Sequence, residues 1–413
     1  MRAAPRRGGA HFPFRAMYST LRSTPDLQST TIRAATVADL DVLVRLEERC
    51  FTSDQANRRQ LRHLLTRANA ATLVAEDVVS GTVLGDVIVL FSRGTATARL
   101  YSVAVDPDAR GRKVGQVLLE AAEAEAWRRE RAWMRAEIRK DNRASIGLFE
   151  SAGYRRFGEY ADYYADHMDA WRYEKPLDER LKPSLARVPW YRQTLEFTCG
   201  PAALIMGMKA LDPRLEPDRT LELRLWREAT TIFMTSGYGG CGPYGLALAA
   251  YRRGFKPEVV VSDPGVHMVE SVRDPDKKEV MGLVQQDMEG EMAEAGIPIR
   301  MDRVTLEELE FRFQGGEIPL VLISSWQIYE ERSPHWVVVT GFDEHFVYVH
   351  DPYVDDKEGE LPSDSMNMPI GREQFRRMTR YGRRGLQAAV FLSGRRGSRR
   401  SRGRRTDLGS GAT

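Results

Sequence analysis

ARLYSVAVDPDARGRKVGQVLLEAAEAEAWRR, residues 98–129, decides how the first half of the chain folds. Apolar residues from Leu100 to Val105 read as a strand, and Asp106-Pro107 ends it. After the turn, apolar residues recur at helical spacing to Arg129. Between strand and helix lies a basic, glycine-containing turn, Arg110-Gly111-Arg112-Lys113-Val114-Gly115. A turn of this kind aims backbone N–H groups and the positive end of a helix at one point, which is how proteins hold phosphate. No Gly-Lys-Ser/Thr follows, so it is not a P-loop, and without GxGxxG it is not a dinucleotide fingerprint.

The flanking segments have the same mixed character. TIRAATVADLDVLVRLEERCF (31–51) predicts a strand and a helix with Thr36 as N-cap. TLVAEDVVSGTVLGDVIVLFSRG (72–94) predicts a β-hairpin turning at Ser80-Gly81. One helix and one strand after the basic turn comes EIRKDNRASIGLFESAGY (137–154), and YYADHMDAWRYEKPL (163–177) closes the pattern. Together these blocks resemble the GNAT N-acetyltransferase superfamily, in particular its ribosomal-protein alanine acetyltransferase branch.

That resemblance implies a GNAT fold over residues 31–177 and acetyl-CoA as cosubstrate. Backbone groups of Val103 and Val105 would meet the pantetheine arm. The N–H groups of Arg110, Gly111, Arg112, Lys113, Val114 and Gly115 would hold the pyrophosphate, and Asn142 would hydrogen-bond the cofactor. Glu137 would be the general base toward the attacking amine of a peptide or protein. Two residues depart from the pattern. Lys113 replaces a glycine and fits the loop with a negative φ. Phe149 stands where this branch has the tyrosine that protonates the leaving thiolate, leaving Tyr154, Tyr163, Tyr164 or water to substitute.

A second pattern begins at Val188. In WYRQTLEFTCGPAAL (190–204), Thr198 can cap a helix that starts at Cys199, with Pro201 tolerated in its first turn. A helix N-terminus favours thiolate, and a thiolate nucleophile needs a base and a group to orient it. PHWVVVTGFDEHFVYVHDPY (334–353) alternates as two strands around Asp343. His335 and Asp351 each lie eight residues from that centre. A hairpin with a three- or five-residue loop therefore places them opposite each other on one face. Cysteine, histidine and aspartate in that order follow the logic of a nucleophile, its base and the base's orienter. Gln193, six residues before Cys199, supplies a donor for an oxyanion beside the Cys199 N–H.

These residues, with the glycine-rich GYGGCGPYGLALAAYRRGF (237–255), resemble the double-glycine leader peptidases, family 39 of the cysteine peptidases. The resemblance implies a papain-like fold over residues 188–393. Pro334 before the histidine and a charged insertion around Asp274 to Glu294 depart from the family. Cys241 lacks glutamine and histidine partners of its own and reads as structural. An acetyltransferase followed by a peptidase-like domain resembles a bacterial architecture.

Length and composition agree with an α/β (α+β) chain of two domains. The 413 residues are 42% hydrophobic and 29% charged. No apolar run reaches the ~18 residues of a membrane span. Three well-separated cysteines with no CxxC or Cys/His ligand spacing support neither a disulfide framework nor a zinc site, and fit a reducing cytoplasm. The net charge of +3 divides into +4 over residues 1–30, +6 from Gly394 onward and −7 between. Residues 1–30 form a basic flexible segment with no apolar signal core, and Met17 is an alternative start. Residues 178–187 read as a linker. The Arg-Gly-Ser tail, 394–413, cannot bury a core and is expected to be a disordered, solvated tail, with nucleic-acid contact a weaker reading. Two functions follow: a bifunctional acetyltransferase and cysteine peptidase, or a binding and regulatory module with one or both sites inactive.

Overall fold

Short strands between turn residues build the first sheet, and continuous apolar runs build much of the second. The computed structural model describes residues 30–178, 181, 183–231, 239–331, 333–355 and 360–395. The segment 1–29, the tail from 396, three linker residues and the first two residues of the glycine-rich stretch lie outside these. Packing divides the chain into two compact units. One takes the chain to Leu90, then Leu100–Glu125 and Ala136–Tyr173; the other takes Phe91–Arg99, Ala126–Arg135 and Glu174 onward.

The first sheet is made by β1 (Thr30–Ala34), β2 (Ala70–Asp77), β3 (Val83–Phe91), β4 (Thr97–Val105), β5 (Trp133–Arg139), β6 (Arg155–Tyr160) and β7 (Ala170–Pro176). Its order is β1-β2-β3-β4-β5-β7-β6. β2 and β3 form the expected antiparallel hairpin, turning through Gly81 at φ +68. The helices are α1 (Leu40–Cys50), α2 (Arg58–Thr66), α3 (Val114–Arg128) and α4 (Arg143–Ser151). Leu40 and Leu43 of α1 and Leu61 of α2 bury themselves on Val74 and Ile88 of the sheet. Asp86 lies in β3 and is only 1% exposed, with neither carboxylate oxygen hydrogen-bonded among the described residues. Burial, helped by Glu47 of α1, pushes its carboxyl up to about 8.

The second unit continues with β8 (Ser184–Leu185), α5 (Cys199–Leu211), α6 (Arg219–Ala229), α7 (Pro243–Arg252), β9 (Lys256–Val261), α8 (Pro275–Ala295), β10 (Ile299–Met301) and α9 (Leu306–Gln314). Then come β11 (Ile318–Ser324), α10 (Trp326–Tyr329), β12 (Pro334–Phe342), β13 (Phe346–His350), β14 (Met368–Gly371), α11 (Arg372–Met378) and β15 (Ala388–Ser393). The sheet runs β10-β9-β15-β11-β12-β13-β14, with β8 beside β12. On one face Trp336 and Val338 pack with Leu204, Met206 and Leu246 of α5 and α7. On the other, Val337 and Val339 pack with Leu309, Phe313 and Phe375 of α9 and α11. α5 is apolar all round and buried from Cys199 to Met208, as a central helix must be. A Cβ at Gly207 would fall 2.9 Å from Leu392 and 3.0 Å from Leu320, so glycine lets α5 press on the sheet. The charged insertion is α8, capped by Asp274 and closed by Gly296 at φ +66.

Candidate active sites

In the second unit the structure brings Cys199, His335 and Asp351 together. Cys199 is the first residue of α5 and 9% exposed. Thr198 does not cap the helix as expected. Its Oγ1 donates to Leu195 O (2.8 Å) and accepts from Leu195 N (3.3 Å), which folds the preceding turn and leaves the N-terminal amides of α5 without a side-chain cap. His335 Nε2 donates to Asp351 Oδ1 at 2.6 Å, with the two residues 7% and 0% exposed. Cys199 also acts on the imidazole, favouring its charged form. Burial opposes charge on His335, but the Asp351 carboxylate and Cys199 outweigh it and push the imidazole up to about 10.

The register that makes this pair differs from the expected one. The last strand pair before the turn is Phe342 with Val347, so four residues separate them instead of three or five. Continued without interruption, that ladder sets Asp351 opposite Val338, on the other face from His335. A bulge at Thr340 corrects it: Gly341 pairs with Tyr348, but Val339 pairs with Val349 and Val338 with His350. Asp351 follows, level with Val337, two residues along from His335 on the same face.

The Asp351 carboxylate is fully hydrogen-bonded. Oδ1 also accepts from Tyr353 N (2.8 Å), and Oδ2 accepts from Tyr329 Oη (3.0 Å). Trp190 Nε1 donates to its carbonyl at 2.7 Å. Gln193 is buried, its N–H on Pro352 O (2.9 Å) and one amide N–H on Leu195 O (2.9 Å). Its amide oxygen is buried without a partner among the described residues. Cys241 sits beside the start of α5, its Cβ 3.2 Å from where a Cβ on Gly200 would be. Burial pushes its thiol up, and its carbonyl accepts from Trp336 Nε1 (3.0 Å). Tyr329, in a segment with no motif, was not singled out by sequence; only its position shortly before His335 marks it.

In the first unit the basic turn stands before α3, which begins at Val114, so Val114 and Gly115 are its first turn. Gly111 takes φ +81. Lys113 takes φ +59, not the negative value expected, because the chain must reverse there whatever the side chain. Arg110 is exposed, while Arg112 donates to Asp77 Oδ2 (3.0 Å). Val103 and Val105 lie on β4, where Val105 O accepts from the Cys50 thiol (3.3 Å). Asn142 caps α4 by accepting from Ser145 N (3.0 Å). Glu137 is half-buried near the end of β5. Phe149 is buried edge-on against Tyr154 at 4.9 Å, and Tyr163 stacks on Tyr160 at 5.8 Å. Tyr164 Oη donates to Glu137 O at 3.4 Å, and burial pushes its phenol up to about 12.

No group of three or more His, Cys, Asp or Glu side chains among the described residues could hold a metal ion, and no described helix is long and apolar enough to cross a membrane. Residues 40–154 match the sequence profile of the acetyltransferase (GNAT) family, and residues 188–393 that of the Peptidase_C39 like family. The chain is 27% identical over 134 residues to the ribosomal protein bS18-alanine N-acetyltransferase of Salmonella typhimurium, covering 32% of this chain and 86% of the relative. Against the Escherichia coli enzyme of that name it is 37% identical over 67 residues, 16% of this chain and 45% of the relative, so it spans under half of that protein. The crystal structure of a ribosomal-protein-alanine N-acetyltransferase from Brucella melitensis is 26% identical, covers 35% of this chain and 99% of its own, and superposes with a TM-score of 0.32. Residues 40–154 are a domain of the acetyltransferase (GNAT) family, and residues 188–393 are a Peptidase_C39-like domain joined to it in the same chain.

Proposed function

We propose that the chain is bifunctional: residues 31–177 transfer acetyl from acetyl-CoA to the amine of a peptide or protein, and residues 188–393 cleave a peptide or related amide. The observation that carries the second activity is the buried Cys199–His335–Asp351 set with its 2.6 Å hydrogen bond. Cys199 Sγ attacks the carbonyl carbon, and the oxyanion takes hydrogen bonds from the Cys199 N–H and the Gln193 amide. His335 gives its proton to the leaving amine. Water then hydrolyses the Cys199 thioester, with His335 as base.

In the first activity Glu137 takes the proton of the attacking amine, and the amides from Arg110 to Gly115 hold the pyrophosphate of acetyl-CoA. The three free cysteines support a reducing compartment such as the cytoplasm. The deciding experiment incubates the full chain with a peptide library and acetyl-CoA and reads the products by mass spectrometry. Cleavage lost in Cys199→Ala and acetylation lost in Glu137→Gln support the reading; neither product in the wild-type chain overturns it. Phe149, without a hydroxyl, favours a second reading in which the first domain binds acetyl-CoA without turnover. An acetylation rate raised in Phe149→Tyr at unchanged acetyl-CoA affinity supports that view of the missing acid.

A further inference from the structure

We propose that Tyr329 is a positioning residue of the cysteine site, acting through Asp351; the proposal rests on the peptidase reading above. Asp351 is 0% exposed, so each carboxylate oxygen must find its donors within the protein. Oδ1 is taken by His335 and by Tyr353 N–H. Oδ2 has the Tyr329 hydroxyl, at 3.0 Å. The torsion that swings a carboxylate about its Cβ–Cγ bond is broad and two-fold, so a donor on the second oxygen fixes which way the first one faces. With Oδ1 held toward Nε2, the imidazole is fixed in orientation and Nδ1 is left to act on the thiol.

The hydroxyl is itself held in place. Tyr329 ends α10, and Glu330 turns the chain at φ +58 directly after it. The Tyr329 ring stands edge-on to His335 (6.0 Å) and to Tyr353 (4.9 Å). At the start of α10, Ser325 Oγ donates to Glu331 O (2.7 Å), which clasps this short helix into a closed loop. Burial and the neighbouring Asp351 push the phenol well above its ordinary range, so it stays a donor through the neutral region. Among its other ionisable neighbours, Glu360 is pushed up to about 8 by burial, and the Tyr353 phenol is raised by burial.

The test needs no substrate. Iodoacetamide labelling of the full-length chain is followed by mass spectrometry at each cysteine between pH 5 and 9, in wild type, Tyr329→Phe and Asp351→Asn. Cys199 in wild type should label at least about tenfold faster than Cys241 at pH 7. Tyr329→Phe keeps the ring but removes the donor; it should slow Cys199 by about tenfold and move the pH profile in the direction Asp351→Asn moves it, by less. Tyr329→His, which returns an N–H donor, should recover part of the rate. A Tyr329→Phe profile identical to wild type, beside a slowed Asp351→Asn, overturns the role of Tyr329 alone. Rates that follow melting temperature across the variants, with no recovery in Tyr329→His, also overturn it. Cys199 labelling no faster than Cys241 in wild type overturns the peptidase reading and this proposal together.

Discussion

His335 keeps its proton against burial because the Asp351 carboxylate, helped by Cys199, favours the charged ring. Its folded-state pKa of about 10 lies above the unfolded value of about 6.5. The stability this contributes is therefore complete below about pH 6.5 and is lost as pH rises through about 10. Cleavage should fall on the same alkaline limb, since the leaving amine takes this proton. In Asp351→Asn the limb should move down by about two pH units or more, because burial then acts with less opposition, and the rate at pH 7 should drop by roughly 10³-fold. A pH–rate profile with an unmoved limb would contradict this account of His335. Lys113 gives a second prediction at this scale. A non-glycine residue at φ +59 carries a strain of about 1 kcal/mol, so Lys113→Gly should stabilise the first unit by about 0.5–1 kcal/mol in thermal unfolding without weakening acetyl-CoA binding. A loss of stability would show that the Lys113 side chain makes a compensating contact.

At the scale of elements, the start of α3 should decide cofactor binding. A Cβ at Gly115 would lie 3.3 Å from Leu148 Cδ2 and 3.6 Å from Val105 Cγ2, so Gly115→Asp adds crowding and negative charge where N–H groups should meet a pyrophosphate. Saturating acetyl-CoA should raise the melting temperature of the wild-type chain and leave that of Gly115→Asp unmoved. A similar shift in both would remove the turn from the cofactor site. The strand–turn–helix around this glycine and the β2–β3 hairpin were legible because apolar runs there are bounded by clear turn residues, Asp106-Pro107 and Ser80-Gly81. The start of α5 was legible through Cys199-Gly200-Pro201, although its cap was not: Thr198 has a closer partner in Leu195 than in the helix. The pairing of His335 with Asp351 was legible as a shared face. Its register was not, because a bulge leaves no residue type of its own in a run such as Val337-Val338-Val339-Thr340. Tyr329 was illegible for another reason, since a donor to a buried carboxylate can come from any element that tertiary packing delivers.

For the whole molecule, one buried ionisable group in each unit, Asp86 and His350, responds to pH in the opposite sense to the other. Asp86 in the first unit has its carboxyl raised to about 8, so that unit loses stability as pH climbs from about 4 toward 8. His350 in the second donates to Val188 O (2.8 Å), accepts from Asn367 N (2.9 Å), and is lowered by burial to about 4. Its contribution is lost as pH falls from about 6.5 toward 4. Asp86→Asn should therefore stabilise the first unit by on the order of 2 kcal/mol at pH 8 and by almost nothing at pH 4. Thermal unfolding across pH, followed by hydrogen exchange in peptides of each unit, checks both the size and the location. An Asp86→Asn gain that is equal at pH 4 and pH 8 would show that packing, not ionisation, sets the effect.

The extra residue in β12 gives the hairpin slack in its length. Thr340 is the residue that the ladder does not count, and its hydroxyl is buried without a partner among the described residues. Deleting Thr340 leaves Val339 facing Val349 and Val338 facing His350 in a regular ladder, so the Cys199 site should survive and still label rapidly with iodoacetamide. Deleting Val338 instead removes a counted residue and should silence the cysteine while the hydrophobic content of the sheet hardly changes. Loss of a single codon at this hairpin should thus be neutral at one position and silencing two positions earlier. The bulge sets the hairpin's length apart from the facing of His335 and Asp351, so the turn can change by one residue while that pair keeps its shared face.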